Sequence, residues 1–414
     1  MMKDSGMILY LAWRNVWRYP RRTILTMLTI IAGCVMILLL NSLATGGHDQ
    51  MIDDAVASGT GHIQIHEKGF RDNQSLEYAL LPDDKLIAEL KKEKKVRGIS
   101  KRIQNAGLIS YMDKTAGVII QGIEPEEEKN ITIISQRILR GGRYLTSGDS
   151  LHIIMGETLA ENIRASVGST ISMISQGFDG SIAAEKLKIV GLFRTGNPEY
   201  DRSLILMPFA RAEQSFSMMG YINSIVIRLN ESRFTDEIKK VLAEKIHGEG
   251  LEISGWDELM PELVQFIVMD DFSAYIFDFV LFMIVAFGIY NTIQMSVFER
   301  TREIGIMLSI GTSPGQVRSL IIYESFIITV IGLIPGMLIG ALLSIYFQHN
   351  PIDYSAYAKE ITVWGVTTTL FPARLTALNL SVTCTLICIS SLIFSFFPAL
   401  RASRLNPVKA IRHL

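Results

Sequence analysis

Three sets of residues in this chain have the type and spacing to do chemistry. His62 and His66 stand four apart, Cys384 and Cys388 likewise, and Asp278 lies inside an apolar run that later contains Asn291 and Gln294. Two imidazoles four apart can share a metal on a helix, but Gly61 to His66 alternates as a strand, where that spacing opens to about 13 Å. They are expected as surface histidines. Cys384 and Cys388 share a helix face without further ligands, and with Cys34 they all fall in hydrophobic runs. They read as small apolar packing residues, and the polar region has no disulfide framework. Asp278 reads either as an interfacial carboxylate reaching water or as one facing a wet cavity beside the first helix. No Gly-x-x-x-x-Gly-Lys-Ser/Thr loop, Gly-x-Ser-x-Gly elbow or His-Glu-x-x-His helix occurs. No catalytic residue, metal or cofactor is therefore expected, and ATP hydrolysis by these residues is not.

The stretch Glu299 to Val317 has a different character, charged first and then apolar. Glu299, Arg300, Arg302 and Glu303 are too polar for lipid, whereas Ile304, Met307, Leu308 and Gly311 recur at helical spacing as an apolar stripe that needs a groove. Ser313, Pro314 and Gln316 read as the N-cap, first turn and capping-box partner of the next helix.

The elements that must position these residues follow from composition. The 414 residues are 49% hydrophobic and 20% charged, with mean hydropathy +0.29 and net charge -1. That is too apolar for an ordinary soluble enzyme, and it gives no reason to expect nucleic acid. Residues 1–22 form an interfacial amphipathic helix, with Leu9, Ala12, Trp13, Val16 and Trp17 on one face and Arg14, Asn15 and Arg18 on the other. The run that follows is too long for a cleavable signal peptide. Spans are expected at 23–43, 272–298, 319–347 and 380–400. The third contains Pro335 with Gly332, Gly336 and Gly340, a pattern that permits a kink and close helix contact.

Residues 44–271 read as an α+β domain, in two lobes, inserted between the first and second spans. Strands are expected at 61–66, 106–112, 116–123, 170–176 and 187–193, helices at 82–95 and 157–165, and strand, helix, strand over 222–254. Gly177 to Ser181 has hairpin chemistry. A helix from Trp256 or Pro261 continues as a stalk into the second span. A cytoplasmic loop at 299–318, an external loop at 348–379 and a cytoplasmic tail at 401–414 complete the chain. The basic residues Arg14, Arg18, Arg21, Arg22, Arg401, Arg404, Lys409 and Arg412 mark the cytoplasmic side, since 348–379 offers only Lys359 and Arg374. Phe266, Met269, Phe272, Ile276, Phe279 and Met283 form an apolar stripe suited to helix packing or to an acyl chain. No internal repeat is found.

Glu299-Arg-Thr-Arg-Glu-Ile-Gly305 with Gly311, and Pro398-Ala-Leu-Arg-Ala-Ser-Arg-Leu-Asn-Pro-Val-Lys-Ala-Ile-Arg412, resemble the coupling helix and C-terminal signature of the FtsX/MacB-type permeases of ABC transporters. The resemblance implies that Glu299, Arg300, Arg302, Glu303, Ile304, Gly305, Met307, Leu308 and Gly311 form a coupling site for a separate ATPase subunit. It also implies a second permease copy or a paralogue. Leu308-Ser309 stands where the family usually has Arg-Ala. Within the family, Phe193 to Leu204 and Gly61 to Ile65 look like segments of the lipoprotein-releasing (LolC/LolE-like) permeases. That likeness implies a bacterial inner-membrane location with the large domain periplasmic, a lipoprotein substrate and a periplasmic carrier. Its acyl groove would be Leu39, Leu40 and Leu43 with Met269, Phe272, Ile276 and Phe279, and its carrier contacts Phe178 and Asp179. MacB-like efflux of peptides or small molecules, and FtsX-like regulation of a cell-wall hydrolase, are the alternatives.

Overall fold

The computed structural model describes residues 2–246, 250–353, 370–407 and 410. Lys359, Lys409 and Arg412, and most of the external loop, lie outside them. The chain divides into two compact units, one of residues 1–48, 267–352 and 371–414, the other of residues 49–266 and 353–370.

Helices α1 (Met2–Val16) and α2 (Pro20–Ala55) open the chain. Then follow β1 (Ile63–Glu67), α3 (Asp84–Leu90), β2 (Val96–Tyr111), β3 (Lys114–Ile123), α4 (Pro125–Ile131), β4 (His152–Gly156), α5 (Glu157–Ile163), β5 (Thr170–Gln176) and β6 (Ile182–Phe193). After these come α6 (Pro198–Ser203), β7 (Leu204–Pro208), α7 (Phe209–Ser215), β8 (Ser224–Leu229), α8 (Thr235–Lys245), β9 (Leu251–Gly255) and α9 (Trp256–Leu259). The last elements are α10 (Pro261–Glu299), α11 (Thr301–Ser309), α12 (Pro314–His349), the paired β10 (Ile352–Asp353) and β11 (Leu370–Phe371), and α13 (Ala377–Ser403).

Among the described residues four helices are long and apolar enough to cross a membrane, and their ranges include 23–43, 272–298, 319–347 and 380–400. The second is unbroken for 39 residues, about 58 Å of helix. In the apolar unit, Gly332, Gly336 and Gly340 of α12 face Ile30, Cys34 and Leu38 of α2, and a Cβ added at any of them would lie 2.9–3.0 Å from the facing side chain. The spacing of four on both helices lets ridge meet groove, and the missing side chains bring the backbones together. Cys34 is fully buried there, and α12 continues as helix through Pro335. Between α12 and α13 the Ser391 hydroxyl bonds Ser325 and Thr329.

In the other unit β2 organises two lobes, because it is long enough to pair differently along its length. Its first half joins β8, and β1 lies between β8 and β9. Its second half pairs β3 on one side and β5 on the other. Pairings β3–β7, β7–β4, β4–β6 and β6–β5 then close a circuit of six strands back to β2. The hairpin at 177–181 joins β5 to β6, with the Gly177 amide donating to the Ser181 carbonyl at 2.8 Å.

His62 and His66 are not surface residues. Both are 1% exposed. The His62 Nδ1 accepts from the Leu229 amide at 3.1 Å, and the His66 Nε2 meets Ser254 Oγ at 3.2 Å. A second feature of this lobe is a buried ion pair. The Arg102 guanidinium donates to Glu128 on α4 and to the carbonyl of Gly59, just beyond α2.

Candidate functional site

A single residue, Arg300, separates the end of α10 from the start of α11, and the position of α11 is set by charge. Arg300, at the junction, donates from Nη1 to Glu324 Oε1 of α12 at 2.8 Å, and Asn15 of α1 donates to the same oxygen at 2.6 Å. The Arg300 and Glu324 side chains are each only 9% exposed. Such a pair is costly to break, since either partner alone would be a buried charge. Around it lie looser contacts. Arg18 grips both oxygens of Glu303 at 2.7 and 2.8 Å, and Arg22 bonds Glu299 at 2.8 Å. The bond from Arg18 holds the Glu303 carboxyl below its ordinary range, with Arg300 adding to the effect. The Arg18–Glu303 pair is nearly half exposed, so it orients more than it stabilises.

The apolar stripe finds its groove within the chain itself. Ile304 is 3% exposed, Gly305 is buried, and Met307 and Leu308 pack on the core formed by α2, α10 and α12. Gly311 is not part of the stripe. It takes φ +100° at the helix end, where the Thr312 amide returns to the Met307 carbonyl at 3.0 Å, a left-handed C-terminal turn that suits glycine. The expected capping box is present, with Ser313 and Gln316 exchanging side-chain and backbone bonds. What α11 leaves outside is Arg302 with Ile306 and Ile310, the last 77% exposed. Of the nine residues assigned to the coupling site, Arg302 is thus the outward one on the helix. Ile306 and Ile310 complete the exposed surface, and the stripe reading hid them because it assumed that the buried face was the contact face.

Helix α1 divides differently from its sequence pattern. Ala12 and Val16 are buried, while Leu9, Trp13 and Trp17 remain exposed. Asn15 and Arg18, read as part of the polar face of an interfacial helix, turn to Glu324 and Glu303.

The seam between α2 and α10 is polar at intervals and antiparallel. Thr26 bonds Thr292, Asn41 Nδ2 donates to Asp278 Oδ2 at 2.9 Å, and His48 Nε2 meets Asp270 Oδ2 at 2.8 Å. Asp278 therefore faces the first long helix. Met269, Phe272, Ile276 and Phe279 lie off this seam, each between 53% and 71% exposed. Leu40 is also exposed, with Leu39 and Leu43 half-buried. The side-chain hydrogen bonds across the seam are made by Thr26, Asn41 and His48 with Thr292, Asp278 and Asp270, not by the residues of the expected groove.

In the other unit the Phe178 ring packs 5.5 Å from that of Tyr221 and its amide donates to the Phe216 carbonyl at 2.8 Å. Asp179 accepts from the Ser181 amide at 3.0 Å, and the Ser181 bonds lower its pKa. Both are thus ordered parts of a turn.

Comparison with known proteins adds the following. Residues 275–407 match the family model of the FtsX-like permease C-terminal region, and residues 23–245 match the MacB-like periplasmic core domain. The macrolide export ATP-binding/permease protein MacB of Neisseria gonorrhoeae is 23% identical over 96% of this chain and 59% of its own length. This chain thus spans about three-fifths of that relative. The lipoprotein-releasing system transmembrane protein LolC of Xylella fastidiosa is 21% identical over 92% of each chain. An uncharacterised ABC transporter permease of Methanocaldococcus jannaschii is 23% identical over 99% of this chain and 98% of its own.

Proposed function

Because the chain belongs to the MacB/FtsX-type ABC transporter permeases, we propose that it is the non-catalytic membrane subunit of a mechanotransmitting complex driven by a separate ATPase. The observation that carries this reading is the fixing of α11 from behind. Arg300, Glu324 and Asn15 tie it to α1 and α12, and Glu299 and Glu303 tie it to Arg22 and Arg18. A push on Arg302, Ile306 and Ile310 would be delivered into α2 and α10 rather than absorbed locally. The ATPase subunit docks on that outward face. A second copy or a paralogue completes the permease pair.

The cargo of this reading is a lipoprotein in the outer leaflet of a bacterial inner membrane, extracted toward a periplasmic carrier, with the α+β domain on the periplasmic side. The alignment with LolC over 92% of both chains supports it. The apolar residues Met269, Phe272, Ile276 and Phe279 offer acyl chains a surface, with Leu39, Leu40 and Leu43 across from them once the seam opens or supplied by a second copy. Phe178 and Asp179 are the carrier contacts. Efflux of peptides or small molecules is the second reading, supported by the MacB relatives that match 96% of this chain.

The test is ATP-dependent release of a labelled lipoprotein from proteoliposomes holding this chain with its co-purifying ATPase and a soluble carrier. Release that falls at least tenfold in Phe272→Asp/Ile276→Asp, with the complex intact, is the expected result. ATPase activity without release moves the assignment to efflux or regulation.

A further inference from the structure

The four arginines at the start of the chain do two different things. Arg18 and Arg22 are engaged by Glu303 and Glu299. Arg14 and Arg21 are exposed, and among the described residues neither meets a carboxylate at ion-pair distance. On α1, Tyr10 and Arg14 stand opposite the buried Ala12 and Val16, at the helical spacing of four. Trp13 and Trp17 lie edge to face with centroids 6.0 Å apart, each more than 40% exposed. An outward surface with two indoles, a phenol and the Arg14 guanidinium, followed by the exposed Arg21 at the start of α2, is unsuited to bulk water and to hydrocarbon alike. It suits the headgroup layer, where indoles sit at the polar boundary and guanidinium groups take phosphate through paired N–H donors.

We propose that α1, with the turn after it and the first turn of α2, is a binding surface for anionic phospholipid, in which Arg14 and Arg21 hold headgroup phosphates and Trp13 and Trp17 sit at the polar boundary. The charge match fixes the partner as a lipid surface carrying net negative charge rather than a zwitterionic one. The opposite face of α1 bears Asn15, which bonds Glu324 beside Arg300. The lipid-holding helix is therefore tied to the base of α11, and headgroup charge becomes an input to the coupling helix. Only this last consequence rests on the proposed function.

The test uses the full chain in lipid nanodiscs, reading tryptophan quenching by brominated phosphatidylglycerol against brominated phosphatidylcholine. The expected result is selective quenching by the anionic lipid, lost on Trp13→Phe/Trp17→Phe. Selectivity should weaken about fivefold for each of Arg14→Gln and Arg21→Gln, be retained in Arg14→Lys/Arg21→Lys, and weaken at higher salt. Equal quenching by the two lipids overturns the inference. So does an equal loss of selectivity in Arg401→Gln/Arg404→Gln, which would make the effect one of general surface charge. In the complex with its ATPase, activity should rise with phosphatidylglycerol content in the wild type and not in Arg14→Gln/Arg21→Gln. Selective quenching with no ATPase activity in any lipid counts against the coupling reading and leaves the lipid surface standing.

Discussion

Asn15 and Arg300, 285 residues apart, donate to one oxygen of Glu324. Removing that carboxylate leaves the largely buried guanidinium with only its 3.2 Å contact to the half-exposed Glu303. Glu324→Ala should destabilise the full chain by about 3–5 kcal/mol, read as a lowered unfolding midpoint in detergent. Replacing both members, in Glu324→Leu/Arg300→Met, should restore most of the loss while leaving coupling impaired. A double variant as unstable as the single would show that the charge is not the cause.

The glycine stripe makes a steric prediction. Gly336→Ala places a Cβ 2.9 Å from Cys34 Cβ, inside any normal contact. It should cost about 1–3 kcal/mol. Gly315→Ala on the same helix meets nothing closer than Ser313 Oγ at 3.9 Å, so it should be neutral or slightly stabilising. Thermal unfolding of the two variants side by side decides the matter.

His62 gives a pH dependence. Burial, with Arg228 adding to it, brings its pKa down from 6.5 to about 3. The unfolded chain binds the proton first, so the contribution is complete above about pH 6.5 and is lost as pH falls toward 3. The slope is about 1.4 kcal/mol per pH unit for one proton. Denaturant titrations at pH 7, 6 and 5 should show His62→Gln with a pH slope smaller by nearly that amount between pH 6 and 5 and by about half of it between pH 7 and 6, and identical slopes would refute the assignment.

For the coupling helix, the outward residues should matter through contact and the inward ones through posture. Ile310→Asp should weaken association with the ATPase by about 2 kcal/mol or more, the scale of an interface anchor, with no change in the unfolding midpoint of the isolated chain. Substituting Glu299, Arg302 and Glu303 together should uncouple ATP hydrolysis from movement of the large domain. Coupling that survives the triple change would move the contact away from α11.

Much of this was legible in the chain. Long charge-poor runs announce spanning helices because nothing else is that apolar for that length, and the Ser313–Gln316 capping box is a local pattern that tertiary contacts need not confirm. The hairpin at 177–181 was local in the same way. The strands His152–Gly156 and Leu204–Pro208 are five residues each without alternation, too short for periodicity to declare them. The ion pairs of Arg18 and Arg22 join residues 285 and 277 positions apart, and no local pattern encodes such a choice of partner. His62 and His66 misled because alternation shows that a strand exists, not whether both of its faces are covered.

The polar contacts along α2 and α10 have a mechanical consequence. Arg22–Glu299, Thr26–Thr292, Asn41–Asp278 and His48–Asp270 are distributed from one end of the helix pair to the other. A slide of one turn, about 5.4 Å, would carry all four out of range at once. The pair accordingly has discrete alignments, as a vernier has, and does not creep between them under load. Twisting or parting would break these contacts one at a time, slippage all together, so in the proposed mechanism a displacement entering at Glu299 would be carried toward Asp270 by the pair moving as a unit.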